Sequence, residues 1–172
     1  MRTQAKTREE YFIVAGEREA TLREMDIKEL IQKYLSQGKV MQLATSAEGQ
    51  PWVCTVYYVI DDQLNIYWLS LPSRRHSQEI ATNNKVAVTI MVKSDQPVVG
   101  VQAEGTAELI SEPSEIEKIS KLYVAKHEAG KDFYQNFLKG KNQHSMYKLT
   151  PQKFVLFDEL NFPGGDSREW YT

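Results

Sequence analysis

The sequence predicts a small, mainly β protein in which six or seven strands in mostly antiparallel order form a small closed or split β-barrel, with one N-terminal helix and a late helical insert. Three observations carry that expectation. After Gly38, runs rich in β-branched and aromatic residues follow one another in quick succession. The first connections between them are short enough for hairpins. No alternating βαβ rhythm of the kind that builds a parallel sheet is present.

The chain has 172 residues, which suits one domain with a substantial core. Its first two dozen residues are the least patterned, with charges at Arg8, Glu9, Glu10, Glu17, Arg18 and Glu19 flanking one apolar patch at 11–15. We read 1–24 as an N-terminal arm that packs on a partner, and 25–172 as the barrel domain. Beyond the arm, Ile27, Leu30, Ile31, Tyr34 and Leu35 recur at i, i+3, i+4, i+7 and i+8, which places them on one helical face. Asp26 with Glu29 has the spacing of a capping box, and Gly38 supplies the stop.

Strands are expected at 40–46, 52–60, 64–70 and 86–93. The links 47–51 and 61–63 serve as turns, so the first three form an antiparallel meander. In the second run both alternate sets, Trp52/Cys54/Val56/Tyr58 and Val53/Thr55/Tyr57/Val59, are largely apolar. One face closes the core, and the other is left for a partner or a flat ligand. A fifth strand, 98–110, contains Gly100 and Gly105, which mark a bulge or close backbone approach. Pro113 opens a helical insert with Ile116, Ile119, Tyr123 and Val124 on one face, continuing at 131–139 until Gly140. Strands at 145–149 and 153–158 close the chain before a Pro163-Gly164-Gly165 turn and an aromatic tail at 168–171.

The stretch 67–92 carries the most chemistry. A strand ends in a Pro/Ser turn, a short helix begins at Ser73-Arg74-Arg75-His76, and Asn83-Asn84 stops it. A capping serine beside two arginines is an ordinary way to start a surface helix. It is also a phosphate seat, because free N–H groups and guanidinium forks favour an anion there.

Other chemistries lack support. A net charge of −2 gives no basic footprint for nucleic acid. The single cysteine, Cys54, precludes an intrachain disulfide and fits a reducing, cytoplasmic setting. It reads as a strand-filling residue. His76, His127 and His144 are dispersed, with no metal spacing and no nucleophile elbow. Glycine motifs for a dinucleotide or a P-loop are missing, and so is a membrane-length apolar run.

The order of helix, GQPWVCTVYYV, IYWLSLPSRRHSQEIATNNKVAVTI and GVQAEGTAEL resembles the FMN-binding split β-barrel superfamily of the pyridoxamine 5'-phosphate oxidases. The similarity spans about 27–170. In that family a Ser-Arg-Lys element after the third strand binds the FMN phosphate, so the resemblance implies Ser73, Arg74 and Arg75 as phosphate ligands with His76 beside them. It implies that Cys54, Thr55, Val56, Trp68 and Leu69 flank the ring. It also implies a homodimer with flavin at the interface, to which a partner contributes Gln102 and Trp170. The implied function is an FMN-dependent oxidoreductase. The alternative is a non-catalytic binding protein or sensor for a flat cofactor, with haem or deazaflavin in place of FMN. Vitamin B6 oxidation is not expected, since Cys54 and Val59 stand where the oxidases carry arginine and lysine, and the tail offers only Arg168.

Overall fold

The computed structural model describes residues 27–127 and 131–172. The N-terminal arm and Asp26 of the capping box lie outside them. Helix α1 (Ile27–Gln37) leads into β1 (Val40–Ala47), β2 (Gln50–Tyr57), β3 (Val59–Ile60) and β4 (Ile66–Ser70). Helix α2 (Arg75–Thr82) connects β4 to β5 (Lys85–Lys93), and β6 (Val99–Ile110) follows. Helices α3 (Pro113–His127) and α4 (Lys131–Leu138) form the insert before β7 (Ser145–Asp158) and β8 (Arg168–Tyr171).

Seven strands form one antiparallel path, β2-β1-β5-β6-β7-β4-β3, and β8 pairs with the second half of β7. The two end strands of the path, β2 and β3, are separated only by Tyr58, so the sheet curls back on itself into a barrel. This is a split barrel, one of the two barrel forms that the strand pattern allowed and the one that the family resemblance implied. Three details differ. The second run breaks at Tyr58, whose side chain turns inward and donates to the C=O of Leu35 at 2.7 Å. The two last runs are one strand bent at Pro151, where the pairing with β6 slips past Gln152. The aromatic tail is itself a strand, β8.

Alternation fills the interior. Met41 and Leu43 of β1, Val86, Val88 and Ile90 of β5, and Val99, Val101 and Ala103 of β6 all point into one core. The predicted face of α1 caps it, with Leu30, Ile31, Tyr34 and Leu35 buried. A polar tie fixes that helix to the end of β7: Tyr34 donates to buried Asp158 at 2.7 Å, and Asn161 donates to the same carboxylate through its backbone and its amide. A second cluster, with Val59, Tyr67, Ile110, Ile119 and Tyr123, seats α3 on the outside of β3 and β4.

Two glycines are required by space. A Cβ on Gly105 would sit 2.2 Å from the carbonyl oxygen of Thr150, at the bend of β7, which is the close approach read from the sequence. A Cβ on Gly38 would sit 2.5 Å from the Tyr58 hydroxyl and 2.7 Å from Ile90. Among the described residues no helix is long and apolar enough to cross a membrane, and no three His, Cys, Asp or Glu side chains group as a metal site.

Candidate functional site

The barrel is open along one seam. β2 pairs only with β1, while β4 meets β3 through Tyr67 and Ile66 and has no partner on that side beyond them. Residues 54–57 of β2 and 68–70 of β4 therefore face one another without a shared ladder, leaving edge N–H and C=O groups for another partner. The insert staples one end of this seam. The Tyr123 hydroxyl of α3 donates to the C=O of Tyr57 at 2.6 Å and lies 3.4 Å from the C=O of Tyr67. His127 Nε2 sits 2.9 Å from the C=O of Tyr58, to which its N–H donates.

Two adjoining lobes fill the seam. One, of about 470 Å³, is lined by Trp52, Cys54, Thr55, Val56, Leu69, Ser70, Leu71, Arg74, Arg75, His76 and His144. The other, of about 570 Å³, is lined by Lys39, Thr55, Val56, Tyr57, Leu69, Tyr123, His127, Phe133 and His144. Thr55, Val56, Leu69 and His144 belong to both. Among the described residues no carboxylate lines either lobe, and cations stand at both ends.

The first lobe ends at the start of α2. That helix begins one residue later than the sequence predicts: Arg74 is its N-cap, with extended φ −72° and ψ 146°, and makes no side-chain cap bond. Ser73 is exposed one position earlier, so the expected serine cap is corrected. The N–H groups of the first helical turn still lack intrahelical acceptors, as at any helix start. The two arginines are not equivalent. Arg75 Nε donates to Glu79 at 2.7 Å, and its guanidinium lies 4.5 Å from the centre of the Trp52 ring. Arg74 makes no ion pair with a described residue. Glu79 is only 7% exposed; hydrogen bonds from Thr45 and Arg75 hold its carboxyl below the usual range.

His76 packs behind the arginines. Its Nδ1 lies 3.3 Å from Cys54 Sγ and its Nε2 lies 2.6 Å from Ser70 Oγ. Burial, and then the charge of Arg74, push its pKa down, which keeps the ring neutral at pH 7. Burial also pushes the Cys54 thiol up, with Glu79 adding to it. The thiol is therefore a filled, protonated position rather than an activated nucleophile.

The structure gathers Cys54, Thr55, Val56, Leu69, Arg74, Arg75 and His76 in one cleft, with Ser73 beside its mouth. It removes Trp68 from the set. Strand alternation turns that indole inward, where it is 0% exposed and stacks on Tyr147 at 5.7 Å, while Leu69 faces the cleft. Trp170 packs on Phe154 of its own barrel at 5.8 Å, with Lys28 over its ring, and lines neither lobe. Gln102 stands on the outward face of the sheet. It is in register with Thr89, and through it with Gln42 and Thr55, and it is exposed. That face also carries Val53, Tyr57 and Met91, which are 59%, 63% and 56% exposed.

Sequence reasoning missed Trp52, Glu79, Tyr123 and His144. Only Glu79 left a local signal, its i,i+4 spacing from Arg75. The others are long-range neighbours that the topology brings together.

An antiparallel barrel left open along a cleft, with arginines at one end and aromatic walls at the other, defines a split-barrel protein. The chain belongs to the pyridoxamine 5'-phosphate oxidase family, whose sequence profile matches residues 27–157. Solved structures share the fold at low identity. A conserved hypothetical protein of Mycobacterium tuberculosis, Rv2991, superimposes with a TM-score of 0.68 at 17% identity, covering 80% of this chain and 88% of that one. General Stress Protein 26 of Bacillus anthracis gives 0.62 at 16% identity, over 86% of this chain and all of that one (100%). A heme binding protein of Mycobacterium smegmatis gives 0.64 at 18% identity, over 80% of this chain and 56% of that one. A search of curated proteins returns no significant match.

Proposed function

We propose that this chain is a homodimeric FMN-binding protein that acts as an oxidoreductase, with Arg74, Arg75 and the first turn of α2 holding the phosphate. The observation that carries the reading is the seam itself. It joins an arginine at a helix start, without an ion-pair partner among the described residues, to a flat slot between two open strand edges, with no described carboxylate in its lining. A phosphate monoester on a flat heterocycle fits that donor set: guanidinium and amide N–H groups meet the phosphate, and edge N–H and C=O groups meet the polar rim of the ring. Bound FMN would supply hydride or electron transfer. The chain's own residues position it. Trp52 and Glu79 fix Arg75 from two sides, and His76 supports the turn through Ser70. Thr55, Val56 and Leu69 form the walls.

The partner reading rests on the outward face, where Val53, Tyr57 and Met91 form an exposed apolar strip beside the cleft, with Gln102 on the same face. A second copy laid on this strip would cover it and bring Gln102 to the neighbouring cleft. Oxidation of pyridoxamine phosphate is outside the proposal, because Val59 is buried in the α3 cluster rather than offering a cation. Titration of the protein into FMN, followed by flavin fluorescence, tests the binding. Saturable quenching at one FMN per chain supports it, and unchanged fluorescence refutes it.

A further inference from the structure

The last turn of α3 holds the barrel by its backbone. Tyr123, Lys126 and His127 stand at i, i+3 and i+4, so they share one face of the helix. From it they reach carbonyl groups on separate elements. Tyr123 donates to the C=O of Tyr57 at 2.6 Å and lies 3.4 Å from that of Tyr67, Lys126 Nζ donates to the C=O of Leu35 at 3.0 Å, and the His127 N–H donates to that of Tyr58 at 2.9 Å. Tyr58 is the single residue between β2 and β3, the two end strands of the sheet path. The turn therefore grips the barrel where its ends meet.

Two of the three donors are basic, and they are crowded. Lys126 Nζ lies 3.9 Å from the centre of the Tyr58 ring, while the His127 ring packs on Tyr57 at 5.3 Å and on Tyr123 at 5.2 Å. The charges that act on His127 are Lys126 of its own helix and Lys39 of the link between α1 and β1. The other titratable side chains in that lining are Tyr57, Tyr123 and His144, and none among the described residues is a carboxylate. Burial, opposed by the Tyr58 carbonyl and reinforced by Lys126 and then Lys39, lowers the pKa of His127. Burial lowers that of Lys126 as well, to about 8. Both folded-state values lie below the free ones, so closure is strongest at high pH and weakens as pH falls. Below about pH 7 Lys126 is already charged, and His127 is the group that still takes up a proton.

We propose that the last turn of α3 is an acid-released latch on the split barrel: a proton on His127 sets three cations, Lys39, Lys126 and His127, around the joint at Tyr57 and Tyr58, and the turn lets go of it. The release is local. Ile119 and Ser120 stay buried in the middle of α3, and Glu115 ties its start to Tyr67 and Lys148. The seam thus opens at the end of the insert while the barrel stays folded. The latch does not rest on the FMN reading, since every contact in it is made by the chain itself.

Amide hydrogen exchange of the full chain at about pH 7.5 and about pH 5.5, with each rate corrected for its intrinsic pH dependence, tests the latch. Protection at 123–127 and at Tyr58, whose N–H donates to the Lys39 carbonyl at 3.3 Å, is expected to fall at least about threefold more than protection in β6. His127→Gln keeps an N–H donor without a titrating ring and should abolish this difference. Lys39→Gln removes a neighbouring charge from an exposed position and should reduce it. Equal loss of protection in α3 and β6, unchanged protection at 123–127, or a full effect surviving in His127→Gln would overturn the proposal. Should His127→Gln lose the native fold, Lys39→Gln decides alone, and an undiminished difference in that variant overturns the latch.

Discussion

Arg74→Ala is expected to weaken FMN binding by about ten- to a hundredfold while leaving riboflavin within about a factor of two, because the side chain it removes is assigned to the phosphate and pairs with no described carboxylate. The magnitude follows from what each arginine touches. Arg74 caps α2 through its backbone and makes no ion pair with a described residue, so its removal leaves no stranded partner. What is lost is one charge-assisted hydrogen bond to phosphate, worth about 1.5–3 kcal/mol, which is the stated range in affinity. Arg75→Ala differs. It also uncovers the Trp52 face and leaves buried Glu79 with Thr45 as its remaining partner, placing an unpaired carboxylate behind the phosphate seat. FMN should then be lost at least as severely, and the thermal midpoint should fall as well. The assay is parallel titration of FMN and riboflavin, followed by flavin fluorescence. Equal losses for the two ligands, or an Arg74 variant that binds FMN normally, would show that the phosphate lies elsewhere.

Tyr123→Phe removes the hydroxyl that spans the seam, and denaturant melts should show a loss of about 1–2 kcal/mol; an unchanged midpoint would refute the staple. Gly105→Ala places a Cβ against the Thr150 carbonyl, so a loss above about 2 kcal/mol is expected from the same melts, and a neutral result would contradict the packing. Burial lowers the pKa values of His76 and His127, so the unfolded chain, with histidines near about 6.5, takes up protons first as pH falls. Their contribution is complete above that value and is lost as pH drops through it toward the folded-state pKa values. Urea midpoints should therefore decline from about pH 7.5 to pH 5.5, less steeply in His76→Asn, and an identical slope would refute the assignment. Val53→Lys puts a charge in the middle of the exposed strip, and sedimentation should show a dimer for the parent chain and a monomer for the variant. A dimer that survives would place the interface elsewhere.

Local periodicity carried the fold further than it carried the site. The helical spacing of Leu30, Ile31, Tyr34 and Leu35 was enough to name the buried face of α1, because that face meets a single core. Gly105 was legible for a similar reason: a glycine within a strand marks a place where backbone comes close. Other features were set by tertiary context. Trp68 and Leu69 are adjacent and both apolar, and only the register of β4 against β7 decides which one faces the core. Pro151 interrupts the pattern but not the strand, since a bulge absorbs it. Cys54 was read correctly as a filler of a strand, though its neighbour His76 comes from 22 residues away. The contact of Trp52 with Arg75 and the bridge from Tyr123 to two strand carbonyls link elements far apart in the chain, and no local spacing encodes them.

The account turns on whether the seam holds a flavin, and an absorption spectrum of the purified protein after gel filtration addresses that most directly. The two visible bands of oxidised FMN, eluting with the protein and released on denaturation at one per chain, are the predicted result. A colourless protein that stays colourless after incubation with FMN, or a haem Soret band in place of the flavin bands, would contradict it.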